Sequence, residues 1–312
     1  MDNNVSSTPY DDVFRTLLAD CSYLIIPILN EVFGEHYSEK ETIEPEPNEH
    51  FLNRQDGTQE ERITDSCFRI LQKRYHIECQ STPDHTMAVR MFEYDVQIAL
   101  TNHQLEEHVL TVNFPESAVM YLRHNSRTPD EMQIRIRTRG GDVAYGIPVI
   151  KVQRYSLAEI FEKRMLFLLP FYIFRFEKRF SEIETDWQKE ELLKSDYRLI
   201  QRQLMEWEEA GKLDSYTKAT IVNMIQKVAE SIARNHPTVQ EGVSIVMGGK
   251  VLDYEAKRIK QSGIEEGREE GKMNALALSV KNLMKNLSMT ADEAMKAMGV
   301  SEALWPQLKK ML

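Results

Sequence analysis

Thr64-Asp65-Ser66-Cys67-Phe68-Arg69-Ile70-Leu71-Gln72-Lys73-Arg74-Tyr75-His76-Ile77-Glu78-Cys79-Gln80-Ser81 is the stretch on which the reading of this chain turns. Side chains of an extended strand alternate between two faces. Over Arg74 to Ser81 that alternation groups His76, Glu78 and Gln80 on one face and Tyr75, Ile77 and Cys79 on the other, separating polar from apolar residues. Over Glu61 to Leu71 it groups Ile63, Asp65, Cys67 and Arg69 against Thr64, Ser66 and Phe68. Once paired, two such strands bring the Asp65 and Glu78 carboxylates within reach of one ion, with Gln80 beside them. Mg²⁺ suits such a set, because it uses one or two protein carboxylates and keeps several of its waters. The same alternation also describes an ordinary half-exposed strand.

Upstream, Asp12 to Phe33 carries apolar residues three and four apart, an amphipathic helix that Pro27 kinks or restarts. The pattern loosens at Pro45 and Pro47, and Arg54-Gln55-Asp56-Gly57 supplies a turn. Downstream, Thr82-Pro83-Asp84 starts a helix over His85 to Thr101. Strands are expected at Val109 to Asn113, Ala118 to Arg123, Met132 to Thr138 and Ile147 to Val152, the last two forming a hairpin across Gly140-Gly141-Asp142. Ser156 then caps a helix running toward Phe180. Beyond it the composition turns to charged helices: Glu182 to Ala210, Ser215 to Arg234, and Leu252 to Gly271 with Gly263, Gly267 and Gly271 at every fourth position. Met273 to Leu287, a capping box at Thr290 and Glu293, a stop at Gly299 and a new cap at Ser301 describe a small tri-helical tail. The expected division is 1–180, 181–250 and 251–312.

The chain has 312 residues and a formal net charge of -10, which counts against a protein that coats nucleic acid by electrostatics alone. The charge is uneven. Met1 to Asp65 holds 15 acidic residues against 4 basic, whereas Val109 to Phe180 holds 12 basic against 7 acidic, so the middle third is the candidate phosphate-facing part. The polar, acidic opening has no signal-peptide character, and the longest apolar run, Met165 to Phe174, is too short for a bilayer span and contains Pro170. Three cysteines without a C-x-x-C pair fit reduced thiols. A cytoplasmic protein with no membrane partner is expected.

The run from Asp65 through Ser81 to Val89-Arg90-Met91-Phe92-Glu93-Tyr94-Asp95 resembles the recombination-promoting nuclease and putative transposase group of the PD-(D/E)XK superfamily, in which the E-x-K strand motif is written E-x-Q. The opening Asp11 to Glu35 resembles that group's first helix, and Gly263 to Asn286 its charged tail. The resemblance implies an α/β (α+β) fold: a restriction-endonuclease-like core with a central mixed sheet flanked by helices, plus an α-helical C-terminal extension. It implies a first helix, a three-stranded meander holding the metal, a second helix and a further strand. It implies metal-dependent hydrolysis of DNA phosphodiester bonds in recombination or mobile elements, with Mg²⁺, or Mn²⁺, on Asp65 and Glu78. Gln80 takes the usual lysine position, and Glu31 is a further candidate ligand.

An amide orients water through hydrogen bonds but neutralises no charge, so glutamine in place of lysine calls for another cation. Arg90, five residues into the helix after the Glu78 strand, is the first candidate, followed by Lys73 and Arg74 at the strand entrance. The alternation Arg135-x-Arg137-x-Arg139 sets three guanidinium groups on one strand face, a strip that suits DNA backbone contacts and equally suits the solvent side of an edge hairpin. The alternative to an enzyme is a catalytically degenerate nuclease fold acting as an oligomeric binding or regulatory module. In either case the terminal helices are the expected contact between subunits of a homo-oligomer.

Overall fold

In the computed structural model the described residues are 9–47, 49–53, 59–248, 271–285, 289–301 and 304–311. The Arg54-Gln55-Asp56-Gly57 turn and the expected Leu252 to Gly271 helix, apart from Gly271, lie outside them. The chain divides into two compact units, Met1–Leu252 and Asp253–Leu312.

The first unit is mixed α/β. It opens with helix α1 (Pro9–Asp20), a 3₁₀ turn (Ser22–Ile25) and helix α2 (Ile26–Phe33), with a bend of 113° between α1 and the helical stretch Ser22–Phe33. Pro27 sits in the first turn of α2, where a missing N–H breaks no helical bond, so the proline restarts the helix and does not kink it. Gly34 ends α2 at φ 67°, a left-handed conformation glycine adopts without penalty. Strands β1 (Glu44–Pro45), β2 (Glu49–Asn53), β3 (Gln59–Ile63), β4 (Cys67–Ile70) and β5 (Lys73–Gln80) come next. Helix α3 (Met87–Thr101) and the small hairpin β6 (Gln104–Glu106) and β7 (Val109–Thr111) then lead to β8 (Glu116–Tyr121), β9 (Glu131–Thr138) and β10 (Gly141–Lys151).

Six strands form one sheet in the order β1-β4-β5-β8-β10-β9. β4 pairs antiparallel with both β1 and β5, α3 crosses over to β8, which lies parallel to β5, and β10 lies parallel to β8 with β9 antiparallel at the edge. The hairpin of β2 and β3 separates β1 from β4 in sequence.

The two faces of the sheet have different partners. Tyr75, Ile77 and Cys79 of β5, with Ala118 and Met120 of β8, enter the main core alongside Phe14, Leu17, Ile28 and Phe167. Val119 and Tyr121 enter a smaller core under α3 with Met87, Met91, Ile134 and Ile147. The face of β5 that carries His76 and Glu78 therefore lies beneath α3.

Ser156 caps α4 (Leu157–Glu162) through a capping box, as expected, but that helix does not run to Phe180. Arg164 takes φ 58°, and a 3₁₀ helix, Leu166–Arg175, replaces it with Pro170 inside. Every residue from Leu166 to Phe174 is buried, so the segment has no solvent face to make a surface helix amphipathic. Helices α5 (Phe180–Ile183), α6 (Trp187–Glu209), α7 (Ser215–Ile232) and α8 (Pro237–Met247) complete the unit. The expected boundary at residue 180 does not divide the core: Leu193, Tyr197, Ile221, Ile225 and Val239 share it with Phe14 and Ile77. Among the described residues no single helix is long and apolar enough to cross a membrane.

In the second unit α9 (271–285), α10 (Ala291–Ala297) and α11 (Trp305–Met311) bury Ala277, Val280, Ala294, Met295 and Leu308 together. The Thr290 and Glu293 capping box is formed, and Gly299 ends the turn of α10 at φ 66°.

Candidate functional site

The Asp65 segment departs from the sequence expectation in an informative way. Asp65 does not lie within a strand: β3 ends at Ile63 and β4 begins at Cys67. Backbone pairing of β4 with β5 stops at Cys67 opposite His76, which leaves the β5 edge beyond it in need of partners. Side chains supply them. Ser66 Oγ accepts from the Ile77 N–H at 3.0 Å and donates to the Ile77 carbonyl at 2.7 Å, and Asp65 Oδ2 accepts from the Cys79 N–H at 2.9 Å. The Asp65 N–H in turn donates to Glu78 Oε1 at 2.9 Å. Short polar side chains thus replace a strand ladder, and in doing so they lay Asp65 against Glu78.

The cluster extends under α3. His76 reaches Glu78 Oε1 through Nε2 at 3.1 Å and Asp95 Oδ1 through Nδ1 at 2.9 Å. Ser117, opposite His76 on β8, donates to Asp95 Oδ1 at 2.6 Å. His76, Glu78 and Asp95 are all buried. Burial by itself lowers the His76 pKa, but hydrogen bonds and charge from Asp95 and Glu78 outweigh it and raise the group to about 9. An imidazolium donates from both nitrogens, as the two carboxylate contacts require.

Arg90 of α3 completes the near side, donating to Gln80 Oε1 at 3.4 Å and lying 3.5 Å from Glu78 Oε2. Arg15 of α1 donates to Asp65 Oδ1 at 3.1 Å. Burial and then the charge of Glu78 push the Asp65 carboxyl above its ordinary range, while the Cys79 N–H and Arg15 act against them. Asp65, Glu78, Gln80 and Arg90 are therefore brought together.

The remaining candidates are not in this cluster. Glu31 pairs with Lys163, and its helix α2 packs on the Tyr75 face of the sheet through the Phe33 and Tyr75 rings, opposite to Glu78. The acid of the opening helices whose charge reaches Asp65 is instead Asp11, one turn before Arg15. Lys73 pairs with Glu35 and Arg74 with Glu46, at the far end of β5. Arg135 and Arg137 lie on edge strand β9, where Ile134 and Ile136 pack inward, and Arg139 falls in the turn after it. Arg137 lies 3.8 Å from Asp142.

His76 shares the polar face of β5 with Glu78, and that alternation was legible. Arg15, Asp11, Asp95 and Ser117 come from elements distant in sequence, and no local pattern connects them to the strand.

Among the described residues no group of three or more His, Cys, Asp or Glu side chains is arranged to hold an ion. The donor chemistry fits Mg²⁺ nonetheless, since it needs one or two carboxylates. Each carboxylate oxygen has two lone pairs, and the Arg90 guanidinium approaches Glu78 Oε2 no closer than 3.5 Å. Two carboxylates share a buried site, the Asp65 carboxyl raised first by burial and then by the charge of Glu78, and a divalent cation would relieve that pair. No protein-family model, curated protein or solved structure matches the chain.

Proposed function

We propose that this chain is a metal-dependent DNA endonuclease of the PD-(D/E)XK type, acting in recombination or on mobile elements. The observation that carries the proposal is the contact of Asp65 with Glu78 beside Gln80 and Arg90. Three antiparallel strands, a crossover helix and a parallel fourth strand in the central sheet support it. Asp65 and Glu78 would hold Mg²⁺, or Mn²⁺ in its place. Such an ion, when bound, would supply a water nucleophile and offset negative charge on the phosphoryl oxygens. Gln80 would orient a water by hydrogen bonding, and Arg90 would provide the positive charge that glutamine lacks. His76 holds the Glu78 carboxylate in place from the side away from the reaction.

Isothermal titration with Mg²⁺ and Mn²⁺, run beside plasmid nicking, tests the reading: one binding site lost in Asp65→Asn is expected, and absence of ion binding in the native protein overturns it. Arg90→Ala is expected to slow nicking by about 10²-fold, the scale of removing one charge-stabilising donor, with ion binding retained. For the edge strip, replacing Arg135, Arg137 and Arg139 together by Ala should flatten the plot of log affinity for DNA against log salt by about two to three, each lost phosphate contact contributing about 0.9. An unchanged slope removes the strip from the binding surface.

A second reading has an observation in its favour. Arg15, His76 and Arg90 already pair with Asp65, Glu78 and Asp95, so each of these three acids has a cation without a metal. On that reading the nuclease fold is degenerate, and the chain is an oligomeric binding or regulatory module. The same titration separates the two, because a relic cluster binds no ion through those carboxylates.

A further inference from the structure

Arg15 is the cation that the opening helix contributes to the cluster. Its neighbours in α1, Val13, Phe14 and Leu17, are buried in the main core and fix the helix firmly, while the Arg15 side chain itself remains 37% exposed. One guanidinium nitrogen of Arg15 donates to Asp65, and its Nε is buried without a hydrogen-bond partner. A planar group with five donors thus has donors to spare, and Arg15 and Arg90, both partly exposed, are the side chains that border the buried acid pair on its solvent side.

Arg15 and Arg90 approach the acids from different elements, α1 and α3, and hold different carboxylates. A cation on Asp65 and Glu78 competes with both guanidinium groups for the same negative charge. Two guanidinium groups released beside a metal face a region where a phosphate would sit, and their forked donors match phosphate oxygens. In a chain of net charge -10, local cations of this kind have to supply the attraction for a polyanion.

We infer that Arg15 is a metal-exchanged phosphate clamp: it neutralises Asp65 when no ion is bound, and an ion that displaces it frees its guanidinium to bind a phosphate of the DNA substrate. The inference rests on the nuclease reading. It makes ion binding and DNA binding cooperative, and it assigns Arg15 opposite effects on the two.

That opposition gives the test. Full-length Arg15→Gln and Arg15→Lys are compared with the native chain in two assays: calorimetric titration with Mg²⁺ alone, and fluorescence anisotropy of a short DNA duplex in Ca²⁺, an ion with the same preference for oxygen ligands. Arg15→Gln is expected to bind Mg²⁺ about fivefold more tightly, at the low end of the coupling seen between linked sites. The same variant should bind the duplex more weakly, with a salt slope shallower by about one, the loss of a single phosphate contact. Arg15→Lys keeps the charge but not the fork, so it should stay close to the native chain in Mg²⁺ affinity and salt slope and weaken duplex binding less than Arg15→Gln does. If Arg15→Gln weakens both ligands together, or leaves DNA binding and its salt slope unchanged, the clamp is overturned while the nuclease reading stands. If the native chain binds no ion, the nuclease reading falls and the clamp with it. Thermal melts of both variants verify that the fold is retained.

Discussion

If the chain is the endonuclease proposed above, replacing Glu78 by Gln is expected to lower Mg²⁺-dependent nicking of supercoiled plasmid by about a thousandfold, the scale at which a group stabilising charge in the transition state is lost. The substitution is chosen for its shape. Glutamine keeps a carbonyl oxygen where Glu78 Oε1 accepts from the Asp65 N–H at 2.9 Å, so the junction between the Asp65 segment and β5 is preserved. What disappears is the charge that an ion requires and that Arg90 and His76 now face. Asp65→Asn should behave alike in activity and keep the fold, because its amide oxygen still accepts from the Cys79 N–H on the β5 edge and the charge it removes is one that burial and then Glu78 disfavour. Activity measured by gel, with the circular dichroism melt as the fold control, decides the matter. Undiminished nicking in Glu78→Gln would remove this carboxylate from the chemistry.

The largest stability effect is expected at His76. It is fully buried and joins two buried acids, Glu78 and Asp95, through its two ring nitrogens. Alanine there would leave both acids without their shared partner, a loss of about 3–5 kcal/mol for a broken buried charge network. In a unit of this size that corresponds to a melting temperature lower by about 10 °C. The effect has a pH signature in the metal-free protein. The folded-state pKa is raised to about 9 from an ordinary value of 6.5, so the proton is held more tightly in the folded chain. The resulting stabilisation is complete below pH 6.5 and is lost as the pH rises through about 9. The gap between native and His76→Ala unfolding free energies, measured by urea titration, should therefore narrow from pH 6.5 to above pH 9. A gap that stays constant across that range would show that His76 is neutral in the fold.

Both predictions depend on a site that the sequence showed only in part. The alternation of Arg74 to Ser81 was enough to separate the two faces of β5, because the period of a strand is a property of the backbone. It set His76, Glu78 and Gln80 together, and in the structure that face lies under α3 while Tyr75, Ile77 and Cys79 fill the main core. The same rule misled at Asp65. Alternation places Asp65 in a strand, yet Asp65 and Ser66 use their side chains to satisfy the β5 edge, and short polar residues that compete with the backbone for hydrogen bonds end a ladder that periodicity would continue. At Leu166 to Phe174 the limit was of another kind: a segment buried on every side carries no periodic signal, and Pro170 with the left-handed Arg164 turned an expected helix into a 3₁₀ run.

By itself, then, the sequence determined which residues of β5 share a face, where α3 begins and ends to within two residues, and where Thr290 and Ser156 cap their helices. These are local matters of backbone period and of donors within reach of a nearby side chain. Only the tertiary structure decided that Asp11 and not Glu31 is the acid of the opening helices near Asp65, that Arg15 is its counter-ion, and that Asp95 and Ser117 hold His76. The contacts of His76 with Asp95 and of Arg15 with Asp65 join residues 19 and 50 positions apart along the chain. They exist because the bend after α1 and the crossover of α3 bring two helices against one strand. Charge is what makes them consequential. Carboxylates drawn together in a buried place must find cations, and folding delivered them from both helices.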